Sequence, residues 1–244
     1  MANGERLMVN GEKIEANGED IIRLEGAEMV EELEHSYREV GMEETLIITR
    51  SNKATNLYNQ GVRARILWKE DQLSSSDRLM VSKNNYFWTE QYENLDFLAN
   101  GDSLEIERLH NEHEMYGFHF VEASLRLVDY DWEIDAMIWM DTLFTDTPEQ
   151  NYQMQKQLYD KIAEDYPEIK NKKERTKRIF ASPYYNALQV RFAYAVTCHK
   201  AQGGQWKHIY LDTGIENPEI SAISQQRWLY TALTRATERV YLLR

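Results

Sequence analysis

The stretch AYAVTCHKAQGGQW, residues 193–206, turns an apolar, strand-like run into Thr197, His199 and Gln202, then Gly203 and Gly204. In an open parallel sheet, ligands gather beyond the carboxyl ends of the strands. A hydroxyl and an imidazole placed there can hydrogen-bond phosphate oxygens or a sugar. A glycine pair lets backbone N–H groups come close to a ligand. Arg50, Ser51 and Asn52 follow a second apolar run, residues 45–49, in the same way. The third cluster is RWLYTALTRATERV, residues 227–240, where Leu229, Ala232, Leu233 and Ala236 recur at i, i+3, i+4 and i+7. That spacing predicts a helix with one apolar stripe. Arg235 falls roughly 120° from the centre of the stripe, so its guanidinium can leave the core. An arginine fixed on a packed helix suits the charge of a phosphoryl-transfer transition state. The plainer alternative is a surface arginine paired with Glu238.

Those residues need a frame. Met29, Leu33, Tyr37 and Val40 mark one side of an acidic helix that Gly41 can end. TLIIT, residues 45–49, reads as a short strand buried on both faces. Ser51 can cap a following helix with Ala54, Leu57, Tyr58 and Val62 on its apolar side. Helix, strand, helix in this order predicts a parallel α/β sheet. Residues 187–196, 208–212 and 239–244 read as further strands, the last two flanking the helix stripe. From about 77 to 144 the period is nearer two, as in WEIDAMIWM and GFHFVEASLRLV, which predicts a small β module inserted into the α/β frame. Residues from about 148 to 180 read as helical and charged. Near the start, Asn3-Gly4, Asn10-Gly11 and Asn17-Gly18 are turn signals, and Asn10-Gly11 separates two short runs as a hairpin would.

A chain of 244 residues with 42% hydrophobic content can bury a core, which separates it from disordered chains. No apolar run approaches the roughly 20 residues that span a bilayer, so no membrane partner is expected. The single cysteine, Cys198, rules out an internal disulfide and suits a reducing cytoplasm. A net charge of −13 argues against nucleic acid as a partner, but its distribution does not. Residues 1–155 carry 13 Lys/Arg against 32 Asp/Glu, a net of −19, while residues 156–207 carry 11 against 5, a net of +6. KNKKERTKR, residues 170–178, is either a solvated helix face or a phosphate-facing patch. His110, His113 and His119 lie in an acidic segment without a nearby cysteine, which reads as a solvated loop rather than a metal site. NNYFWTEQY, residues 84–92, can stack unpaired bases on Tyr86, Phe87 or Trp88, or simply pack the β module. Cys198 beside His199 does not make a thiol nucleophile.

VTCHKAQGGQW, followed about thirty residues later by LYTALTRA, resembles the paired motifs V and VI of superfamily 1 helicases, closest to the RecD-like branch. TLIITRSNKATNLYN resembles the motif IV region of that family, and DRLMVSKNNYFW the lead into its inserted barrel. The resemblance implies an α/β, RecA-like parallel sheet with helices on both faces, carrying an inserted small β-barrel module, SH3-like. The expected organisation is 1–76 for the N-terminal segment and first half of this second motor domain, and 77–145 for the insertion. Residues 146–182 form a charged helical connection, and 183–244 form the second half with motifs V and VI. The resemblance further implies Arg235 as an arginine finger on the γ-phosphate, and Thr197 and His199 on single-stranded DNA. Gln202, Gly203 and Gln205 then adjoin the nucleotide, Arg50 is a second phosphate-sensing arginine, and Asn84 and Asn85 lie near the strand path. The family usually has a glutamate where Gln205 stands, so the ribose contact here has a neutral acceptor.

No G-x-x-x-x-G-K-[ST] phosphate loop occurs in the sequence. ATP and Mg²⁺ are therefore expected only in an intact enzyme, with the loop on a first motor domain as partner and this chain inactive alone. The family also admits nuclease or repair subunits as partners. The competing reading is a non-catalytic, helicase-like module for DNA or protein contacts.

Overall fold

The computed structural model describes residues 6–9, 12–15, 20–130, 132–213 and 221–243, and of residues 6–9 and 12–15 the backbone alone. They form two compact units, one of residues 1–70 with 194–244 and one of residues 71–193.

The first unit opens with a hairpin of β1 (Arg6–Val9) and β2 (Glu12–Glu15), antiparallel with Val9 opposite Glu12. The Asn-Gly turns at 3–4, 10–11 and 17–18 lie outside the described residues. Next come β3 (Ile21–Leu24), α1 (Met29–Glu39), β4 (Thr45–Thr49) and α2 (Asn52–Arg65). All five residues of β4 are buried, as a strand covered on both faces requires. Gly41, at φ +94°, ends α1 in the left-handed region. The Ser51 side chain caps α2 by accepting from the Ala54 N–H at 3.2 Å.

The chain then builds the second unit from β5 (Arg78–Val81), β6 (Ser103–Met115), β7 (Phe118–Leu127), β8 (Trp132–Trp139), α3 (Pro148–Ala163), α4 (Lys172–Phe180) and β9 (Val190–Phe192). It returns to the first unit for β10 (Ala195–Thr197), β11 (Trp206–Asp212), α5 (Ala222–Leu233) and β12 (Ala236–Leu243). No described helix is long and apolar enough to cross a membrane.

In the first unit β10, β4, β11, β12 and β3 pair in that order, all parallel. The steps from β3 to β4 and from β4 to β10 run one way across the sheet, and the step from β11 to β12 runs the other. Right-handed crossovers therefore place α1 and α2 on one face and α5 on the other. The protein is α/β, with the expected parallel sheet covered on both faces. The second unit is antiparallel, in the order β8, β7, β6, β5, β9. A bridge between Ile138 and Leu188 joins β8 to the residues just before β9, so the two ends of this order meet. That is how a sheet closes on itself. Leu158 and Ile162 of α3 and Ile179 of α4 are buried with Phe120, Met137 and Trp139 of the sheet. The charged segment of 146–182 is thus half core.

Three expectations are corrected. Residues 187–196 are not one strand: Val190–Phe192 pairs with β5, and Ala195–Thr197 pairs with β4 in the other sheet. A run buried on both faces has no period to reveal where it changes partner. Ala236 does not extend the α5 stripe but starts β12, because one apolar residue at i+7 looks the same whichever element it begins. His110 and His113 lie in β6 and His119 in β7, not in a loop. The outer half of that hairpin is charged on both faces, so its alternation is hidden.

Candidate functional site

β10 is an edge strand of three residues, and its free edge is closed by a side chain. Asn59 of α2 accepts from the Ala195 N–H at 2.7 Å and donates to the Ala195 carbonyl at 3.1 Å. Thr197 therefore leaves a strand held from both sides. The chain then crosses to β11 through two tight turns, in which Lys200 N–H and Ala201 N–H donate to the Thr197 carbonyl at 2.9 and 3.1 Å. The N–H of Gly204 donates to the Ala201 carbonyl at 3.3 Å. Cys198 and Ala201 face inward, whereas His199, Gln202, Gly203 and Gln205 are exposed. The two glycines differ in purpose. Gly203 stands at φ +93° in open space, and a Cβ on Gly204 would come within 2.3 Å of the Trp206 ring.

Arg235 stands in the turn between α5 and β12, not on the packed helix that its stripe predicted. Its Nε donates to the Thr231 carbonyl at 3.2 Å, Nη1 to the Gly204 carbonyl at 3.1 Å and Nη2 to Thr234 Oγ1 at 3.2 Å. Its own carbonyl accepts from the Trp206 N–H at 2.9 Å. The side chain is half-buried, and among the described residues no carboxylate pairs with it. Glu238, the obvious rival partner, lies 3.5 Å from Lys207 and 3.9 Å from His208. Arg235 is oriented by neutral oxygens alone among the described residues.

Arg50 starts from the opposite end of the sheet, beyond the carboxyl end of β4. Its guanidinium lies 4.0 Å from the centre of the Trp228 ring, and Nε donates to the Thr213 carbonyl at 3.1 Å. Burial lowers its pKa, while Asp212 and Cys198 oppose that effect. Trp228 and Thr231 are one turn apart on α5, so both arginines are anchored along the same helix. Cys198 lies near them: burial pushes its thiol up, and the charges of Arg235 and then Arg50 oppose this. Its Sγ approaches the Trp228 carbonyl at 3.7 Å. It is a packing residue.

Asn84 and Asn85 belong to the second unit. Asn84 Oδ1 accepts from the Asn100 N–H at 2.8 Å. Asn85 donates to the Asn186 carbonyl at 2.7 Å and accepts from Phe87 N–H and Trp88 N–H at 3.1 and 3.3 Å. Both amides hold the loop that presents Tyr86. Thr197, His199, Gln202, Gly203 and Gln205 share one crossover with the Arg235 anchor, while Asn84 and Asn85 stand apart in sequence and in unit. Asn59 and Trp228 escaped the sequence reading; the only signal was a polar residue at a buried helix position and an aromatic seven residues before Arg235. Among the described residues no group of three or more His, Cys, Asp or Glu side chains could hold a metal ion.

Residues 192–243 match the UvrD-like helicase C-terminal domain, the segment that carries the crossover and Arg235. No curated protein sequence matches significantly. Among solved structures, the Pif1 helicase from Candida albicans is similar at 12% identity and a TM-score of 0.41, over 82% of this chain and 44% of that one. The Pif1 helicase from Bacteroides, in complex with ADP-AlF3 and ssDNA, is similar at 11% identity and a TM-score of 0.44, over 81% of this chain and 40% of that one. The chain spans less than half the length of either.

Proposed function

We propose that this chain, with its UvrD-like helicase C-terminal segment, supplies the second motor domain of an ATP-dependent DNA helicase of the RecD-like kind. The observation that carries the reading is Arg235, a guanidinium aimed by two backbone carbonyls and a hydroxyl and neutralised by no described carboxylate. A planar fork held in this way has a fixed direction. It fits the γ-phosphate of ATP bound on a partner domain, where charge spreads over the transferring phosphoryl oxygens. The phosphate loop and the Mg²⁺ ligands belong to that partner, since this chain has no such loop.

Gln202, Gly203 and Gln205 then face the nucleotide from the exposed side of the crossover, Gln205 as a neutral acceptor for the ribose. Thr197 and His199 take the backbone of single-stranded DNA, and Arg50 links the nucleotide side to α5 through Trp228. Asn84 and Asn85 serve the strand path indirectly, by holding their loop. The exposed Ile223 and Tyr230 of α5 agree with a helix that a further domain covers.

In an enzyme containing both motor domains, Arg235→Ala is expected to lower steady-state ATP hydrolysis on the order of 10³-fold, with DNA binding retained. Hydrolysis within a few-fold of the unaltered enzyme would overturn the assignment. The net charge of −19 over residues 1–155 favours the second reading, a non-catalytic module with a protein-facing surface. In that case Arg235→Ala changes partner binding and no hydrolysis.

A further inference from the structure

We infer that the exposed side of α2, with Trp68 just past its end, is a docking surface for an acidic, amphipathic helix of a partner protein. Lys53, Leu57, Gln60 and Ala64 recur at i, i+4, i+7 and i+11, so they share one side of α2, and all four are exposed. Leu57 is 71% exposed and Trp68 78%. Between them the surface is low, since Ala64 is small and a Cβ on Gly61 would meet nothing. The exposed side of α1, on the same face of the sheet, shows what a solvated helix carries: Glu31, His35, Arg38 and Glu39. Trp68 is the stronger sign. It stands at φ +54°, in the left-handed region, and the next N–H, of Lys69, donates to the Arg63 carbonyl at 2.8 Å. Such a bond closes a helix after a position that glycine or asparagine normally fills. Here a bulky residue takes that position against backbone strain and buries little of its ring. An exposed ring held where glycine fits better suits an interface anchor, and tryptophan is foremost among the residues that dominate binding energy.

Charge and length identify the occupant. The sequence of α2 has no Asp or Glu, although the chain has 41 acidic against 28 basic residues, and exposed Lys53 and Arg65 stand at its two ends. A partner that sets apolar side chains on Leu57 and Trp68 therefore meets positive charge at each end, which carboxylates complement. From Lys53 to Arg65 the helix is about 18 Å long at 1.5 Å per residue, some three turns of a partner helix. Apolar residues at i, i+3 or i+4 and i+7 on that partner would lie along the stripe. Phosphates would find the two cations but have no use for Leu57. A second copy of this chain is a poor match, because its acidic helix, α1, exposes no large apolar side chain. The surface lies on the face of the sheet opposite α5 and does not rest on the motor reading.

The probe is a phage-displayed library of random peptides of about 16 residues, long enough to hold a helix, selected on the whole chain. The selected sequences are expected to be rich in Asp and Glu around apolar residues at helical spacing. In fluorescence anisotropy with one labelled selected peptide, Trp68→Gly should weaken binding by about 30-fold or more, and Leu57→Ala should weaken it too. Lys53→Glu with Arg65→Glu should weaken it and flatten its dependence on salt. Trp68→Gly also separates an anchor from a structural ring, because glycine accepts the left-handed backbone and the urea midpoint should hold or rise. A fall in that midpoint overturns the surface. So does a selection that yields no acidic sequence, or peptide binding indifferent to Trp68→Gly. Displacement of the peptide by oligo-dT, or a dimer of this chain that Trp68→Gly abolishes, overturns it as well. Each of these results leaves the motor assignment standing.

Discussion

His208 is fully buried in β11, and its hydrogen bonds assign its protons. The Tyr210 hydroxyl donates to the Glu32 carbonyl at 2.7 Å, so its oxygen accepts from Ser36 Oγ at 2.6 Å. Ser36 Oγ then accepts from His208 Nδ1–H at 2.9 Å. Nε2 is left without a hydrogen bond, with Glu238 at 3.9 Å. A second proton on this ring would be buried and poorly matched. Burial accordingly holds its pKa below 6.5, against the pull of Glu39, Glu238 and Glu32 and with the help of Arg239. The unfolded chain binds that proton more readily. Stability is therefore complete above about pH 6.5 and falls as the pH drops below it toward the folded-state value. Urea midpoints between about pH 7.5 and 5.5 should fall more for the natural chain than for His208→Asn, which keeps a donor to Ser36. Equal losses would show that His208 is not responsible.

At the scale of elements, the informative contact is between α2 and β10. An edge strand presents unpaired N–H and C=O groups, and here an asparagine side chain takes the place of a neighbouring strand. Asn59→Ala leaves both groups of Ala195 buried and unsatisfied, at about 1–3 kcal/mol each. A loss of about 2–6 kcal/mol in urea unfolding is expected, with the crossover from Thr197 to Gly204 the first segment to gain amide exchange. A loss under about 0.5 kcal/mol would mean that water replaces the amide at no cost. The α5 helix makes the complementary point. It is rich in apolar residues, yet among its residues Ala232 alone is buried, and two arginines are anchored along it.

At the scale of the molecule, chemistry and architecture divide between two units. The first supplies a parallel sheet, the crossover and Arg235, and the second a closed antiparallel sheet with α3 and α4 on it. The sequence of neither carries the G-x-x-x-x-G-K-[ST] pattern that cradles β- and γ-phosphates. Incubated with ATP and Mg²⁺, with or without oligo-dT, the chain alone is expected to release no phosphate above background. Turnover that persisted in Arg235→Ala would place the chemistry elsewhere.

What the sequence determined by itself is whatever local pattern enforces. The buried run of 45–49, the Ser51 cap, the two-residue period of the middle segment and the motif spacing across 197–235 each follow from neighbours in the chain. So did the candidate status of Arg235, Thr197 and His199. What only the tertiary structure decided depends on residues far apart. The split of 187–196 between two sheets, Asn59 closing the edge of β10, and Arg50 stacked on Trp228 are examples. So is the fact that Glu238 turns to Lys207 and leaves Arg235 unneutralised. Periodicity reports which face of an element is buried, but not against what, and a charge's partner is chosen by distances that no local spacing encodes.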